Sequence, residues 1–308
     1  MTEFRPRRSV LYMPGTNIRA MDKVKTLPVD CVIMDLEDSV APDVKNAARQ
    51  QIHKAIGGGG YAYREIIVRI NDSGSEWFAE DVKMAVTSGA DGLLVPKVNN
   101  PADVLGVSEL ISSYLSPGQS QQFTSGNQQE KIQIWVMMET PEAMLNAAEI
   151  AKLARDGEPR LSCFVMGTND LAKETGAALS PDRLPMLYWL SSCMTAARAY
   201  GLTILDGVYN DFADDAGFRR ECVQGKSLGM DGKTLIHPRQ IEICNDVYSP
   251  RPDEVLWSRK IIAAFEEPEN QGKGVISLEG KMIELLHRDI ARQIVAVADA
   301  IESRETSK

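Results

Sequence analysis

The chain has 308 residues, 44% of them hydrophobic and 25% charged, and carries a formal net charge of −9. That length suits one large barrel or two ordinary domains with a sizeable core. The acidic balance argues against nucleic acid as a general partner, because phosphate binding needs clustered positive charge.

Short apolar runs recur along the chain with helical stretches between them. The spacing predicts strands at Ser9–Met13, Cys31–Asp35, Ile66–Ile70, Gly92–Val95, Ile132–Met138, Ser162–Met166, Leu202–Leu205 and Lys233–Ile236. These runs are nearly continuous rather than alternating, as in parallel strands covered on both faces. Ala143–Arg155, Leu184–Tyr200 and Phe218–Leu228 have apolar residues at helical spacing. Gly57–Gly60 reads as a flexible connection and Ser116–Gln129 as a polar surface loop. About eight strand–helix units predict an α/β fold, a (β/α)8 TIM barrel over residues 1–248. A doubly wound sheet is the runner-up, but no GxGxxG follows the first strand.

Residues 249–308 form an extension of helical and hairpin character. A helix runs through about Phe265, two short extended pieces span Gly272–Gly280, and a last helix covers Ile290–Ile301. The five cysteines lack CxxC spacing and read as reduced core thiols. The N-terminus has no apolar signal core and no stretch approaches a membrane span, so a cytoplasmic protein without a membrane partner is expected.

Barrel chemistry gathers where strands end. The strand ends here carry Asp35, Glu37, Asp38, Arg69, Lys97, Glu139, Asp170, Asp206 and His237. Helix caps and rim salt bridges account for some of these, Asp38 and Asp206 among them. Glu139 and Asp170 end adjacent strands and can share one hard cation; Mg2+ takes oxygen ligands and often only one or two carboxylates, with Mn2+ as a substitute. A salt bridge from Glu139 to Lys97 or Arg69 is the alternative. The three dispersed histidines argue against zinc, and His237 reads as a packed, hydrogen-bonded side chain. Arg69 is a counter-ion, an oxyanion binder, or both. Gly167, Thr168 and Asn169 offer backbone N–H groups to an anion such as a ligand carboxylate.

Nine motifs stand in order: Arg8-Ser-Val-Leu-Tyr-Met-Pro-Gly15, Met34-Asp-Leu-Glu-Asp-Ser-Val-Ala-Pro42, Val68-Arg-Ile-Asn71, Pro96-Lys-Val98, Met138-Glu-Thr140, Gly167-Thr-Asn-Asp-Leu171, Leu205-Asp-Gly-Val-Tyr209, Gly232-Lys-Thr-Leu-Ile-His-Pro238 and Gly280-Lys-Met-Ile283. Together they resemble the citrate lyase β-subunit-like branch of the HpcH/HpaI aldolase family, which includes malyl-CoA and citramalyl-CoA lyases. The resemblance runs from about Arg7 to the C-terminal helix. It implies a TIM barrel assembled as a homotrimer or hexamer, with Mg2+ on Glu139 and Asp170. It implies Arg69 on the oxygens of a 2-oxo acid, and an acyl-CoA entering along the Tyr12–Asn17 loop past Tyr12, Pro14 and Gly15, with Lys97 among the substrate-binding residues. The tail of one subunit is then expected to close a neighbour's site. Many relatives carry an acid/base aspartate where this chain has Glu284; Asp35 and Glu37 are the other candidates for that role. The implied reaction is carbon–carbon cleavage, or formation, of a β-hydroxyacyl-CoA next to a 2-oxo acid. The alternatives are a citrate lyase β subunit acting on a citryl carrier-protein thioester and a barrel that only binds acyl-CoA.

Overall fold

The structure is a computed structural model, and it describes residues 5–115, 132–156 and 160–306. The expected loop Ser116–Gln129 lies outside the described residues. The chain forms two compact units, one of Arg7–Val247 and one built on Tyr248–Lys308.

In the first unit the strands are β1 (Ser9–Pro14), β2 (Cys31–Asp35), β3 (Glu65–Arg69), β4 (Gly92–Val95), β5 (Gln133–Met138), β6 (Leu161–Met166), β7 (Thr203–Asp206) and β8 (Gly232–Leu235). Each end lies within one residue of the expected run. The helices are α1 (Ile18–Lys23), α2 (Lys45–Gly57), α3 (Phe78–Ser88), α4 (Pro101–Tyr114), α5 (Pro141–Lys152), α6 (Thr168–Thr175), α7 (Leu187–Tyr200), α8 (Asp215–Ser227) and α9 (Gln240–Tyr248). All eight strands pair in parallel with their sequence neighbours, and β1 pairs with β8 through Val10 opposite Thr234, closing the barrel. The fold is the expected (β/α)8 barrel.

Strand alternation sorts the side chains between two cores. Val10, Ile33, Ile67, Leu94, Trp135, Cys163, Val165 and Leu205 fill the barrel interior, and their neighbours in the strands face the helices. Trp135 is fully buried, so trimming it to alanine costs about 3–5 kcal/mol. Arg7 lies 4.6 Å over the Trp135 ring and makes two 2.7 Å hydrogen bonds to Glu65. That pair occupies the N-terminal end of the strands and leaves the C-terminal end for a site.

Local signals set the element ends. Thr140 caps α5 by accepting the Ala143 N–H at 3.0 Å, and Pro141 fills the first helical position. The helical stretch expected at Leu184–Tyr200 begins instead with a 3-10 turn, Leu184–Met186, which follows Arg183 in a left-handed conformation with φ 53°. No helix among the described residues is long and apolar enough to cross a membrane.

In the second unit α10 (Pro252–Glu266), the strands β9 (Val275–Leu278) and β10 (Lys281–Glu284), and α11 (Leu285–Thr306) enclose Ile261, Phe265, Ile276, Ile283 and Ala291. The hairpin lies further along the chain than expected. Glu279 and Gly280 both have positive φ (47° and 77°) and form its two-residue turn, so Gly280 is the turn and not the end. The last helix starts earlier than Ile290 and runs past Ile301.

Candidate active site

Adjacent strands place Asp35 directly opposite Arg69. The Arg69 guanidinium donates to both oxygens of Asp35 at 2.6 and 2.7 Å, forms an ion pair with Glu37 at 2.8 Å, and lies 5.0 Å over the Tyr12 ring. Asp35 also accepts the backbone N–H groups of Glu37 (2.9 Å) and Ser39 (3.2 Å). Burial works against its charge, but Arg69 and these donors outweigh it and hold the Asp35 carboxyl below the usual range. Glu37 is less well served. Burial lifts it to about 7 despite Arg69, and its other oxygen is 3.6 Å from the Lys97 ammonium.

The β5–β6 side is different. Glu139 follows β5 and is 1% exposed. Its Oε1 accepts the backbone N–H of Lys97 at 2.7 Å, while its Oε2 is buried without a hydrogen-bond partner among the described residues. Burial lifts its carboxyl to about 8; the Lys97 N–H opposes this, and the charges of Glu37 and Asp170 add to it. Lys97 reaches Glu139 through its backbone rather than its ammonium, and does so in a left-handed conformation with φ 52°. Gly167 makes room for this carboxylate: a Cβ there would lie 2.6 Å from Glu139 Oε2 and collide with its Cβ. Gly167 leads into α6, whose first turn carries Thr168, Asn169 and Asp170. Asn169 pairs its amide with that of Asn210 at 2.9 and 3.1 Å.

One cavity of about 390 Å3 is lined by Tyr12, Pro14, Asp35, Arg69, Met137, Gly167, Thr168, Asn169 and Asp170 among others; Glu37, Lys97 and Glu139 are not among its lining residues. The volume suits a small ligand or the reacting end of a larger one. Gly15 follows the lining residue Pro14 and has its N–H on Asp35 O at 2.8 Å, and a Cβ there would meet the same oxygen. Among the described residues no group of three or more His, Cys, Asp or Glu is set to hold a metal. A buried carboxylate oxygen without a donor, beside a second carboxylate, fits a hard cation that takes its remaining ligands from water and substrate.

The cavity-lining residues all belong to the barrel unit, whereas Glu284 sits on β10 of the second unit. It stands opposite Val275 and on the same hairpin face as Met282. His237 stacks on Phe212 at 4.7 Å and its Nδ1 accepts the Arg239 N–H. The five cysteines are buried and free.

A second buried ionic cluster gathers around Asp206, which reads in the sequence as a helix cap or rim salt bridge; sequence reasoning missed its partners Arg183, Lys233 and Glu221 and its burial. Arg183 grips both oxygens of Asp206 at 2.7 and 2.8 Å, and Lys233 bridges Asp206 (3.1 Å) and Glu221 (2.6 Å). Its signal is a lysine inside a strand, which needs buried carboxylates to be tolerated.

Residues 8–238 match the HpcH/HpaI aldolase/citrate lyase family. The chain belongs to that family. A (3S)-malyl-CoA thioesterase of Cereibacter sphaeroides is 46% identical over 98% of both chains. The mitochondrial citramalyl-CoA lyase of Homo sapiens is 32% identical over 97% of this chain and 87% of its own. Among solved structures, the family fold recurs in CitE of Mycobacterium tuberculosis in complex with magnesium and pyruvate, at 25% identity and TM-score 0.62, covering 80% of this chain and 91% of that one.

Proposed function

We propose that the chain is a Mg2+-dependent lyase that cleaves or forms the Cα–Cβ bond of a β-hydroxyacyl-CoA. Malyl-CoA or citramalyl-CoA would yield acetyl-CoA (or, from a methyl-branched ester, propionyl-CoA) plus glyoxylate or pyruvate. The observation that carries this reading is the Glu139 Oε2 without a hydrogen-bond partner among the described residues: it abuts Gly167 and its carboxyl feels the charge of Asp170, both of which line the same cavity as a guanidinium locked by Asp35. CitE with magnesium and pyruvate supports it, as do relatives named for malyl-CoA and citramalyl-CoA.

Glu139 and Asp170 would hold the Mg2+, or Mn2+ in its place. When bound, the ion acts as a Lewis acid that lowers the pKa of a substrate hydroxyl. Arg69 binds the 2-oxo-acid oxygens and counters charge that develops there. Asp35, already saturated by four donors, keeps the guanidinium oriented. Glu37, at about 7, is the rim carboxylate able to hold or release a proton near neutral pH. The Gly167 N–H, expected to face a ligand, is instead donated to Met138 O at 3.0 Å, so the N–H groups of Thr168 and Asn169 at the start of α6 face the substrate carboxylate, Lys97 adds positive charge at the rim, and the thioester enters past Tyr12, Pro14 and Gly15.

Protonation of the enolate carbon falls to Glu284 of a neighbouring subunit in a homotrimer or hexamer. Its hairpin face supports this: Met282 is 68% exposed and Val275 48%, and Leu286 of α11 is 53% exposed, apolar surface suited to a partner. Glu284→Ala should then lower turnover while leaving Mg2+ affinity unchanged.

A second reading, thioester hydrolysis, is favoured by the 46% identity to a malyl-CoA thioesterase. Product analysis separates the two. With Mg2+ and (3S)-malyl-CoA, the lyase gives glyoxylate and acetyl-CoA, and the hydrolase gives malate and free CoA. The absence of both product pairs from malyl-CoA and citramalyl-CoA alike, with metal present, would sink both readings.

A further inference from the structure

We propose that Met137 decides which 2-oxo acid the site accepts. The inference rests on the reading of Arg69 and Glu139 given above. Alternation along β5 points Trp135, Met137 and Glu139 inward, so Met137 lies one step deeper than Glu139. It is 5% exposed, lines the cavity, and places its sulfur 3.8 Å from Arg69 Nη1.

The donors of Arg69 show where an oxo acid sits. Nε and one hydrogen of Nη2 go to Asp35, and Nη1 is paired in charge with Glu37 Oε2 at 2.8 Å without hydrogen-bond geometry. Among the described residues Nη1 donates its hydrogen bond to the Met137 thioether, a weak acceptor, with the Asp38 carboxylate 3.8 Å away. A ligand oxygen that takes this N–H displaces nothing stronger than sulfur. Held there, beside Glu139, the acid has polar groups above it and two apolar side chains against Arg69: the Tyr12 ring and Met137. Its alkyl group, absent in glyoxylate, methyl in pyruvate and ethyl in 2-oxobutyrate, packs against that floor when the acid is held on Arg69; Met166, Val208 and Ile236 supply apolar lining elsewhere in the cavity. Tyr12 is pinned beneath the guanidinium. Met137 is unbranched and has rotatable bonds to spare, so its length sets the depth and its flexibility lets the floor yield by about a methyl group. The site accordingly takes short 2-oxo acids and rejects longer ones by contact with Met137.

The test is calorimetric binding of glyoxylate, pyruvate and 2-oxobutyrate to the Mg2+-saturated wild type, Met137→Val and Met137→Ala. Valine suits a strand and keeps the variant folded if alanine proves too disruptive. The affinity ratio of 2-oxobutyrate to pyruvate should rise at least about tenfold in Met137→Ala and by less in Met137→Val, the scale set by one methylene in an apolar pocket. A ratio within twofold of wild type in every folded variant that still binds pyruvate overturns the role of Met137 and leaves the proposed function standing. If none of the three acids binds the wild type, the proposed function falls and the specificity role falls with it.

Discussion

The barrel buries charge in two places and treats it in opposite ways. At the β7–β8 side, Arg183 and Lys233 face Asp206 and Glu221, two cations against two anions, with both Asp206 oxygens taken. At the mouth, Arg69 and Lys97 face Asp35, Glu37, Glu139 and Asp170, and a buried oxygen of Glu37 and one of Glu139 have no hydrogen-bond donor among the described residues. A cluster balanced in charge, with both oxygens of its buried carboxylate taken, holds structure together and offers a cation nothing. A cluster with surplus buried negative charge is costly until a cation or a polar substrate arrives. This contrast, more than the presence of charge, locates the site.

The contrast breaks most visibly at Glu139. In metal-free protein its carboxyl is lifted by burial from 4.5 to about 8, so folding favours the protonated form. The folded pKa lies above the unfolded one. Stability therefore falls as pH rises through that window, by up to on the order of 5 kcal/mol. Glu139→Gln should remove the slope, measured as melting temperature against pH in chelator, and Mg2+ should offset it in the wild type. The same variant, and Asp170→Asn, should lose at least about a hundredfold in Mn2+ affinity and in turnover. Unchanged metal binding in both would remove the metal from this site.

The balanced cluster should behave in the reverse sense. Asp206 is fully buried; burial opposes its charge, yet Lys233 and Arg183 hold its carboxyl below the usual range. Its contribution is complete above the unfolded pKa and is lost as pH falls through the folded one. Arg183→Met leaves Asp206 under-compensated and should cost about 3 kcal/mol or more by chemical denaturation, with little change in Mg2+ affinity. A large loss of Mg2+ affinity in a folded Arg183→Met protein would show that the two clusters are not separate in function.

Arg69 belongs to both descriptions, being saturated on one edge and open on the other. Arg69→Lys keeps the charge but loses the planar fork to Asp35. We expect kcat/KM for malyl-CoA to fall at least about tenfold, the equivalent of about 1.4 kcal/mol. Unchanged kinetics would reduce Arg69 to a counter-ion for Asp35.

Much of this was legible in the sequence, for physical reasons. Strands buried on both faces are continuous apolar runs, and a barrel puts their polar followers on one rim, so Asp35, Arg69, Lys97, Glu139, Gly167 and Asp170 could be read as neighbours before any coordinates. What could not be read depends on pairing at a distance. Arg183 lies in a connection without periodicity, and its partner is 23 positions away. The partnerless oxygen of Glu139 is a property of three-dimensional packing. Met137 reads as one more core methionine until strand parity sets it beneath Arg69. The tail hairpin was misplaced because a glycine reads equally well as a turn or as an end, and only the positive φ of Glu279 and Gly280 chooses between them.

The smallest effect concerns Lys97, where backbone and side chain do separate things. Its left-handed φ of 52° turns the N–H toward Glu139 Oε1, and a lysine held in that region costs about 1–2 kcal/mol. Glycine adopts this conformation freely but loses about 0.5–1 kcal/mol of backbone entropy on folding. Lys97→Gly should therefore keep the hydrogen bond to Glu139 and leave stability unchanged or higher by about 0.5 kcal/mol. Lys97→Ala keeps the strain and also loses the ammonium near Glu37, a pair with its lysine 44% exposed that contributes little to stability. Both variants remove the rim charge equally, so both should raise KM for the substrate by the same modest factor while differing in melting temperature. A glycine variant less stable than the alanine variant would show that the left-handed turn at Lys97 carries no strain. A KM unchanged in both would leave Lys97 with its backbone role alone.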